Sequence, residues 1–216
     1  MKLYGYWRSS AAYRVRIAMN LKSLVAEQIS VHLVKDGGEQ HQDEYQQLNA
    51  QELVPSLVIE DNGQQRVLTQ SLAIIEYLDE VYPKAALLPN APFDKSIVRA
   101  MALTVACEIH PLNNLKVLQY LASELDIADE SKTAWYHHWV KEGFTALEKQ
   151  LAQHSGLFCF GDSPTLADIC LVPQVYNAKR FKLDMRPYPN INRINAHCLT
   201  QQAFIDAIPE NQLDAS

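Results

Sequence analysis

The sequence predicts an α/β domain at residues 1–83 followed by an all-α domain at residues 93–216. Two observations support this fold class. Up to about residue 84, short apolar runs of strand length alternate with helical stretches, whereas beyond it apolar residues follow the helical period almost throughout. The segment between the two patterns, 84–92, contains Pro89 and Pro92 and is predicted to be a linker.

The first domain is predicted to have the order βαβ followed by ββα. Its strands are expected at about 2–7, 26–33, 54–59 and 66–68, and its helices at about 10–22 and 71–82. Asn62-Gly63 lies between the last two strands, and this dipeptide is typical of the tight turn of a β-hairpin. The third and fourth strands are therefore predicted to be antiparallel neighbours.

The second domain is predicted to contain three longer helices, at about 93–121, 131–154 and 165–181, and two short pieces after Pro189. Pro111 falls inside the first helix and is expected to kink it, because proline lacks the N–H group that the helix needs. Thr165 and Asp168 have the spacing of a capping box, so we assign them to stability rather than to chemistry.

Composition excludes several classes of protein. The chain has 216 residues, 48% of them hydrophobic and 20% charged, which is typical of a folded soluble protein. The excess of acidic residues, with a formal net charge of −6, argues against nucleic acid as a partner. With no apolar run of membrane length and no signal-peptide pattern, a cytoplasmic protein is expected. The four cysteines lie far apart without zinc-site spacing, which predicts buried reduced thiols and no metal.

Arg8-Ser9-Ser10 lies where the first strand passes into the first helix. The first turn of a helix has unpaired N–H groups and the positive end of the helix dipole, so it stabilises a thiolate or carboxylate. The first 26 residues contain five basic residues and no acidic one, which strengthens this field. Serine here is also typical of an N-cap, the more frequent role in proteins. The two roles are compatible, because only one of the two serines can be the cap.

Two further places in the first domain have the chemistry of a peptide-like ligand site. Val54-Pro55 begins the third strand, and a cis bond there would present the N–H and C=O of Val54 to an extended ligand, although an ordinary strand-initiating proline is the commoner case. Gln70-Ser71 begins the second helix and is suited to an amino-acid head group, although Ser71 alone is more often a cap. Together with the first helix start, they predict a ligand with a thiol at one end and an amino-acid head at the other.

The chain resembles the cytosolic glutathione transferases, and within them the zeta class, nearly from end to end. Val54-Pro55 and Gln70-Ser71 carry the likeness to the superfamily, and Arg8-Ser9-Ser10 carries the likeness to the class. Other matching stretches are 14–18, 109–115, 161–162, 165–168, 171–175 and 177–181. The resemblance implies a thioredoxin-like first domain, a helical second domain that contributes the substrate site, and a homodimer.

The resemblance also implies the cofactor and the residues that hold it. Glutathione is expected, and the residues expected to contact it are Ser9, Ser10, Gln40, Val54, Gln70, Ser71 and Asn114. Ser9, with Ser10 beside it, is expected to hold the sulfur as a thiolate, which makes the two serines the expected catalytic residues. Which of the two holds the thiolate stays open at this point.

The activity implied by the resemblance is the cis–trans isomerisation of maleylacetoacetate to fumarylacetoacetate in tyrosine and phenylalanine breakdown. The thiolate would add to the cis double bond, the bond would rotate, and elimination would return glutathione. The substrate is a dicarboxylate, for which Arg8 and Arg180 are the expected cations. His110 is expected at the wall of the site, although a histidine before proline is more often simply packed.

One residue departs from the zeta pattern. Ala11 stands where the family commonly has cysteine after the two serines, so that cysteine cannot be essential if this protein is active. Two alternatives remain. The protein could be a general glutathione transferase that consumes glutathione on small electrophiles such as α-halo acids, or a thioredoxin-like binding protein that has lost the chemistry. The presence of both serines argues against the second alternative.

Overall fold

A computed structural model describes residues 1–215 of the chain. Its internal contacts divide it into two compact units. The first consists of Met1–Ala86 together with the segment that begins at Gln201, and the second is Leu87–Thr200. The segment beyond residue 200, which we assigned to the helical domain, therefore groups with the first unit.

The first unit contains a four-stranded mixed sheet. Its strands are β1 (Lys2–Gly5), β2 (Glu27–Ser30), β3 (Ser56–Asp61) and β4 (Gln64–Thr69), in the order β2-β1-β3-β4. Strand β1 pairs in parallel with β2, and the β1–β3 and β3–β4 pairs are antiparallel. Asn62 and Gly63 both adopt positive φ, 52° and 76°, as a tight hairpin turn requires. The predicted antiparallel pairing of the third and fourth strands through this hairpin is confirmed, as is the mixed sheet of an α/β domain.

Three helices of the first unit follow the strands. They are α1 (Ser10–Leu21), α2 (Asp43–Leu48) and α3 (Ser71–Val81). Helix α1 is buried along most of its length, and its apolar side chains form the core with those of the sheet and α3. Helix α2 lies in the polar stretch, where no element is predicted. Only one of its six residues, Tyr45, is buried, so the apolar period is too weak for the sequence to reveal a helix.

The second unit is helical, as predicted. Its longer helices are α4 (Pro92–Leu103), α5 (Leu115–Ser123), α6 (Asp129–His154), α7 (Leu166–Arg180) and α8 (Pro189–Cys198). The single helix expected at 93–121 is broken rather than kinked. A π-helical segment, Thr104–Ile109, and a 3-10 turn, His110–Asn113, separate α4 from α5. Pro111 lies in the first turn of the 3-10 segment, where its missing N–H costs no hydrogen bond.

The π segment passes close to helix α6 at Gly143. A Cβ atom at that position would overlap the Ile109 side chain, so glycine leaves the space that this side chain fills. A last short helix, α9 (Gln202–Ile205), belongs to the first unit.

Some predictions from composition can be compared with the structure. No helix in residues 1–215 is long and apolar enough to cross a membrane. No group of three or more histidine, cysteine or acidic side chains in the same range could hold a metal ion. All four cysteines are free thiols, and Cys159, Cys170 and Cys198 are buried. Cys107 is exposed, which differs from the buried position we expected, because it lies on the outer side of the π segment.

Candidate active site

Ser9 is the N-cap of helix α1. Its backbone is extended, with φ −68° and ψ 119°, and its Oγ accepts a hydrogen bond of 3.2 Å from the N–H of Ala12. The Ser9 N–H donates to the carbonyl of Tyr6 at 2.9 Å, which closes the turn between β1 and α1. A hydroxyl has one proton and two lone pairs, so accepting the Ala12 bond leaves the Ser9 O–H available as a donor. Ser10 is the first helical residue and is buried, with 4% of its surface exposed.

Arg8 lies on the same turn and is held by aromatic rings. Its Nη2 donates to the hydroxyl of Tyr6 at 3.0 Å, and its guanidinium carbon lies 4.5 Å from the centre of the Trp7 ring. Its Nε is buried and makes no hydrogen bond to any residue in 1–215. The guanidinium is therefore fixed beside the start of α1 by ring contacts and by one hydrogen bond to a neutral hydroxyl group. It adds positive charge to the anion-stabilising end of the helix.

The start of helix α3 is linked to helix α1 by Arg14. This arginine is 2% exposed, and its Nη1 donates to the Oγ of Ser71 at 3.3 Å. Ser71 is itself buried and is the first residue of α3. The start of α3 is thus tied to the second turn of α1 by a buried cation. Arg14 is one of the five basic residues among the first 26, and its position in the sequence does not indicate this role.

Gln70 has an unusual backbone conformation. Its φ of 68° and ψ of 117° are disfavoured for a residue with a side chain, and such conformations cluster at ligand sites. The side chain is exposed, and its Nε2 donates to Oε1 of Gln51 at 2.7 Å. Gln51 is a neighbour that sequence reasoning missed, since nothing in the local pattern marks it.

Val54 and Gln40 are the remaining residues of the first unit that are predicted to contact the ligand. The Val54-Pro55 bond is cis, and the Val54 side chain packs with Tyr6 and Trp7 in a small apolar cluster. Gln40 is 6% exposed, and its Nε2 donates to the carbonyl of Leu33 at 3.3 Å. Its Oε1 is buried and accepts no hydrogen bond from residues 1–215. A buried amide oxygen of this kind fits an N–H donor of a peptide-like ligand.

His110, predicted to line the substrate site, and Asn114, predicted to contact glutathione, lie together in the second unit. Asn114 is the N-cap of helix α5, and its Oδ1 accepts from the N–H of Lys116 at 3.1 Å. Its Nδ2 lies 3.4 Å from Nε2 of His110, which is half-buried. The cap bond fixes the Asn114 side chain at the point where the 3-10 turn ends.

Arg180 ends helix α7 of the second unit and is exposed. Its guanidinium carbon lies 5.1 Å from the Phe181 ring, which stacks on Tyr136 at a centroid distance of 3.9 Å. Burial raises the pKa of the Tyr136 hydroxyl above its usual range, and that hydroxyl donates to Oδ1 of Asn177 at 2.7 Å. Arg180 is thus an exposed cation on a rigid aromatic support.

Asp168 has a structural role, as expected from its spacing to Thr165. Its Oδ2 accepts from the N–H and the Oγ of Thr165, both at 2.8 Å, and its Oδ1 accepts from the N–H of Cys159 at 2.7 Å. The capping box is therefore confirmed. Full burial raises the pKa of the Asp168 carboxyl.

Comparisons with known proteins identify the family of the chain. Sequence models of the N-terminal and C-terminal domains of glutathione S-transferases match residues 3–86 and 140–193. The chain belongs to the glutathione S-transferase family. A probable maleylacetoacetate isomerase of Vibrio cholerae is 54% identical over 213 residues, which is 99% of this chain and 97% of that protein. The maleylacetoacetate isomerase of Dictyostelium discoideum is 47% identical over 99% of this chain and 95% of its own length.

Solved structures lead to the same family assignment. The holo structure of a maleylpyruvate isomerase, a bacterial zeta-class glutathione S-transferase, superposes with a TM-score of 0.94 at 45% identity over both complete chains. A maleylacetoacetate isomerase from Anaeromyxobacter dehalogenans with glutathione in its active site has a TM-score of 0.90 at 40% identity, over 100% of this chain and 97% of that one. The predicted fold and the zeta-class resemblance are confirmed.

Proposed function

We propose that this protein isomerises maleylacetoacetate to fumarylacetoacetate, with glutathione as its coenzyme. The observation that carries the proposal is the pair of helix starts in the first unit. Ser9 caps α1 and keeps a hydroxyl proton to donate, and Ser71 at the start of α3 is linked to α1 through Arg14. This is a double anion site for a ligand with a thiol and a carboxylate. Relatives of matching length are named as maleylacetoacetate isomerases, and these names support the identity of the proposed substrate.

Each part of glutathione has a proposed partner. Ser9, with Ser10 beside it, donates to the sulfur, and Gln70 and Ser71 bind the γ-glutamyl head. The backbone of Val54 pairs with the cysteinyl part, and the buried Oε1 of Gln40 accepts from an N–H group toward the glycine end. Asn114 completes this set. The positive φ of Gln70 supports its role, since the conformation needs a reason beyond local sequence.

The bound coenzyme supplies a thiolate that adds to the cis double bond, permits rotation about the resulting single bond and leaves by elimination, so that it is not consumed. The protein lowers the pKa of that thiol by hydroxyl donation and by the field at the start of α1. Arg8 adds a fixed positive charge at the same turn. A free thiol has a pKa of about 8.5, so a decrease of one to two units makes a large thiolate fraction at neutral pH.

The substrate has two carboxylates, and we assign them to arginine side chains. Arg180 is exposed on its aromatic support and can bind a carboxylate through two N–H groups. Arg8 is placed to stabilise negative charge that develops on the substrate during addition. His110 is assigned to the wall of the substrate site beside Asn114.

The test is direct. The protein is incubated with maleylacetoacetate and a catalytic amount of glutathione, and formation of fumarylacetoacetate is followed. Turnover many times in excess of the glutathione present supports the isomerase. Stoichiometric loss of glutathione on α-halo acids without isomerisation would instead identify a general transferase. Glutathione binding without either reaction would identify a binding protein.

A second substrate is favoured by the comparisons with maleylpyruvate isomerases. A maleylpyruvate isomerase of Ralstonia sp. is 46% identical over 219 residues, covering all of both chains. Maleylpyruvate has the same cis double bond between carbonyl and carboxylate, so the same site chemistry applies to it. We propose maleylacetoacetate as the preferred substrate, and a kcat/KM higher for maleylpyruvate would reverse that assignment.

We also propose a cytoplasmic homodimer. The four free cysteines support a reducing compartment, and the zeta-class resemblance supports the dimer. Sedimentation equilibrium of the intact chain tests the oligomeric state, and fractionation of the source cells tests the compartment.

A further inference from the structure

The segment 201–215 contacts the turn that carries Ser9. Asp214 accepts two hydrogen bonds, both on its Oδ2 atom. One is from the backbone N–H of Trp7 at 3.1 Å, and the other is from the Oγ of Ser30 at 3.0 Å. Ser30 is the last residue of β2, and Trp7 lies in the turn between β1 and α1. A side chain more than 200 positions away in sequence thus bonds to the backbone two residues before the proposed catalytic serine.

The carbonyl group of Trp7 is connected to the same segment through the side chain of Arg16. This arginine is 7% exposed, and its Nη2 donates to the carbonyl of Trp7 at 2.9 Å. Its Nε and Nη2 also donate to the carbonyl of Ala207, each at 3.2 Å. Both backbone polar groups of Trp7 are therefore connected to the segment 201–215, the N–H directly and the carbonyl through one guanidinium.

These hydrogen bonds act together with packing, since Phe204 and Ala207 are fully buried and Ala215 packs against the cluster that contains Trp7. A cleft of about 220 Å³ lies between the segment and the sheet, and Trp7, Arg16, Ser30 and Asp214 all line it. Side chains next to such a space lose part of their dispersion contacts. Trp7 is itself packed in an apolar cluster, and Asp214 provides the only hydrogen bond to its N–H among those found in residues 1–215, so loss of that bond leaves this N–H without a protein acceptor there.

We infer that Asp214 is a positioning residue for the active site, holding the β1–α1 turn so that the Ser9 hydroxyl meets the glutathione sulfur. The inference rests on the proposed function, because it uses the assignment of Ser9 to the sulfur. Ser9 N–H bonds to the Tyr6 carbonyl across the same turn, so Trp7 is one of its two central residues. Movement of Trp7 therefore changes the direction of the Ser9 side chain.

Both hydrogen bonds end on the Oδ2 atom of Asp214, so a variant that keeps one accepting oxygen can be compared with one that keeps none. Asp214→Ala removes the acceptor, whereas Asp214→Asn can place its single carbonyl oxygen where Oδ2 stands and accept both bonds. Asp206→Ala is the matched control, because it removes an equal charge from the same segment at an exposed side chain that bonds to Gln202. Three quantities are measured for the full chain: kcat/KM, the pKa of the bound glutathione thiol from thiolate absorbance, and amide hydrogen exchange at Trp7.

We expect Asp214→Ala to speed exchange of the Trp7 amide by about tenfold or more and to lower kcat/KM by about tenfold, the effect of losing one charge-assisted bond. The thiol pKa should rise, because the Ser9 hydroxyl donates less well. Asp214→Asn should restore all three quantities to within about threefold or a few tenths of a pKa unit, and Asp206→Ala should leave them unchanged. Thermal unfolding of each variant shows whether the fold is kept.

Two results would overturn the inference while the assignment of Ser9 stands. One is unchanged Trp7 exchange in Asp214→Ala, which would show that the contact does not restrain the turn. The other is faster exchange with unaltered kcat/KM and thiol pKa, while Ser9→Ala alters both. If Ser9→Ala has no effect either, the assignment of Ser9 is itself wrong and the inference falls with it. The exchange data then still show whether the segment restrains the turn, so the two failures are distinguishable.

Discussion

Replacing Ser9 separates the two roles that this residue has in the structure. Its oxygen accepts the Ala12 N–H as the helix cap, and its proton is the proposed donor to the sulfur. Ser9→Ala removes both functions. Ser9→Gly removes the hydroxyl but leaves a residue that caps helices nearly as well. The Ser9 backbone lies in the ordinary extended region, so neither variant is strained.

The expected magnitudes differ for stability and for catalysis. Loss of the cap costs about 1 kcal/mol in Ser9→Ala and only a few tenths in Ser9→Gly. For a chain of this length, 1 kcal/mol corresponds to a decrease in Tm of roughly 2–4 °C. Loss of one donor to an anion lowers turnover by about 10- to 1000-fold. Both variants should show that decrease, although only the alanine variant should be measurably less stable.

The pH dependence gives the sign of the effect. A donor to the thiolate stabilises the charged form and lowers the thiol pKa, so removing it raises that pKa. A hydrogen bond to a charged group contributes about 1.5–3 kcal/mol, which corresponds to about one to two pKa units. The acid limb of the kcat/KM profile should therefore move to higher pH by about that amount in both variants. Ala11→Cys, which restores the residue common in the class, should change neither rate nor profile.

Some results would refute this reasoning. If both Ser9 variants keep the rate and the pH profile while Ser10→Ala abolishes activity, Ser10 holds the thiolate, despite being the more buried of the two serines. If no serine variant matters, the thiolate is stabilised by another group, and the tyrosines of the first unit are the candidates. Those to test first are the three nearest to Ser9 in sequence, Tyr4, Tyr6 and Tyr13.

Three further predictions concern the second unit. Arg180→Ala should raise KM for dicarboxylate substrates by about 10-fold or more and leave KM for a neutral electrophile unchanged, with Lys179→Ala as the neighbouring control; equal effects on both substrates would remove Arg180 from the site. Asp168→Asn should lower the free energy of unfolding by about 2–3 kcal/mol, measured by urea denaturation, because an amide cannot accept on both sides as this carboxylate does; unchanged stability would contradict the capping assignment. Arg186 holds the pKa of Asp184 at about 2, so the pair stabilises the fold above the unfolded value of about 3.9 and loses that effect as pH falls toward 2. Arg186→Ala should return the Asp184 pKa toward its usual range in an NMR titration, and no change would show that the guanidinium is not the cause.

Local sequence predicted the elements whose signals are local. The Asn62-Gly63 turn determined the β3–β4 pairing, and the serine before the first apolar run marked the start of α1. The break at 104–113 could not be predicted in the same way. Apolar residues continue at helical spacing through the π segment, so the pattern does not distinguish a change of hydrogen bonding from a continuous helix.

Local sequence at helix starts and turns predicted Ser9, Ser10, Val54, Gln70 and Ser71, whereas Gln40, Asn114 and Arg180 came from the family resemblance. The residues that were missed depend on long-range contacts. Arg14 sits on α1 as a charged residue and would ordinarily be exposed, yet its partner Ser71 lies 57 positions away and only the tertiary fold buries the pair. Asp214 lies even farther along the sequence from its partner Trp7, and the segment 201–215 contains no motif that marks it. Neither partnership leaves a trace in spacing or composition.

The cap and the catalytic role of Ser9 support each other physically. A cap bond from the Ala12 N–H fixes the Ser9 side chain, so the hydroxyl proton is directed away from the helix without further loss of rotamer freedom on binding. An uncapped serine would have to give up that freedom when glutathione binds, which weakens its donation to the sulfur. The more common structural role of a serine at a helix start is thus the one that makes this serine a better donor. Ser9→Thr, which retains both the cap and a hydroxyl with a stiffer side chain, should consequently keep most of the activity that Ser9→Gly loses.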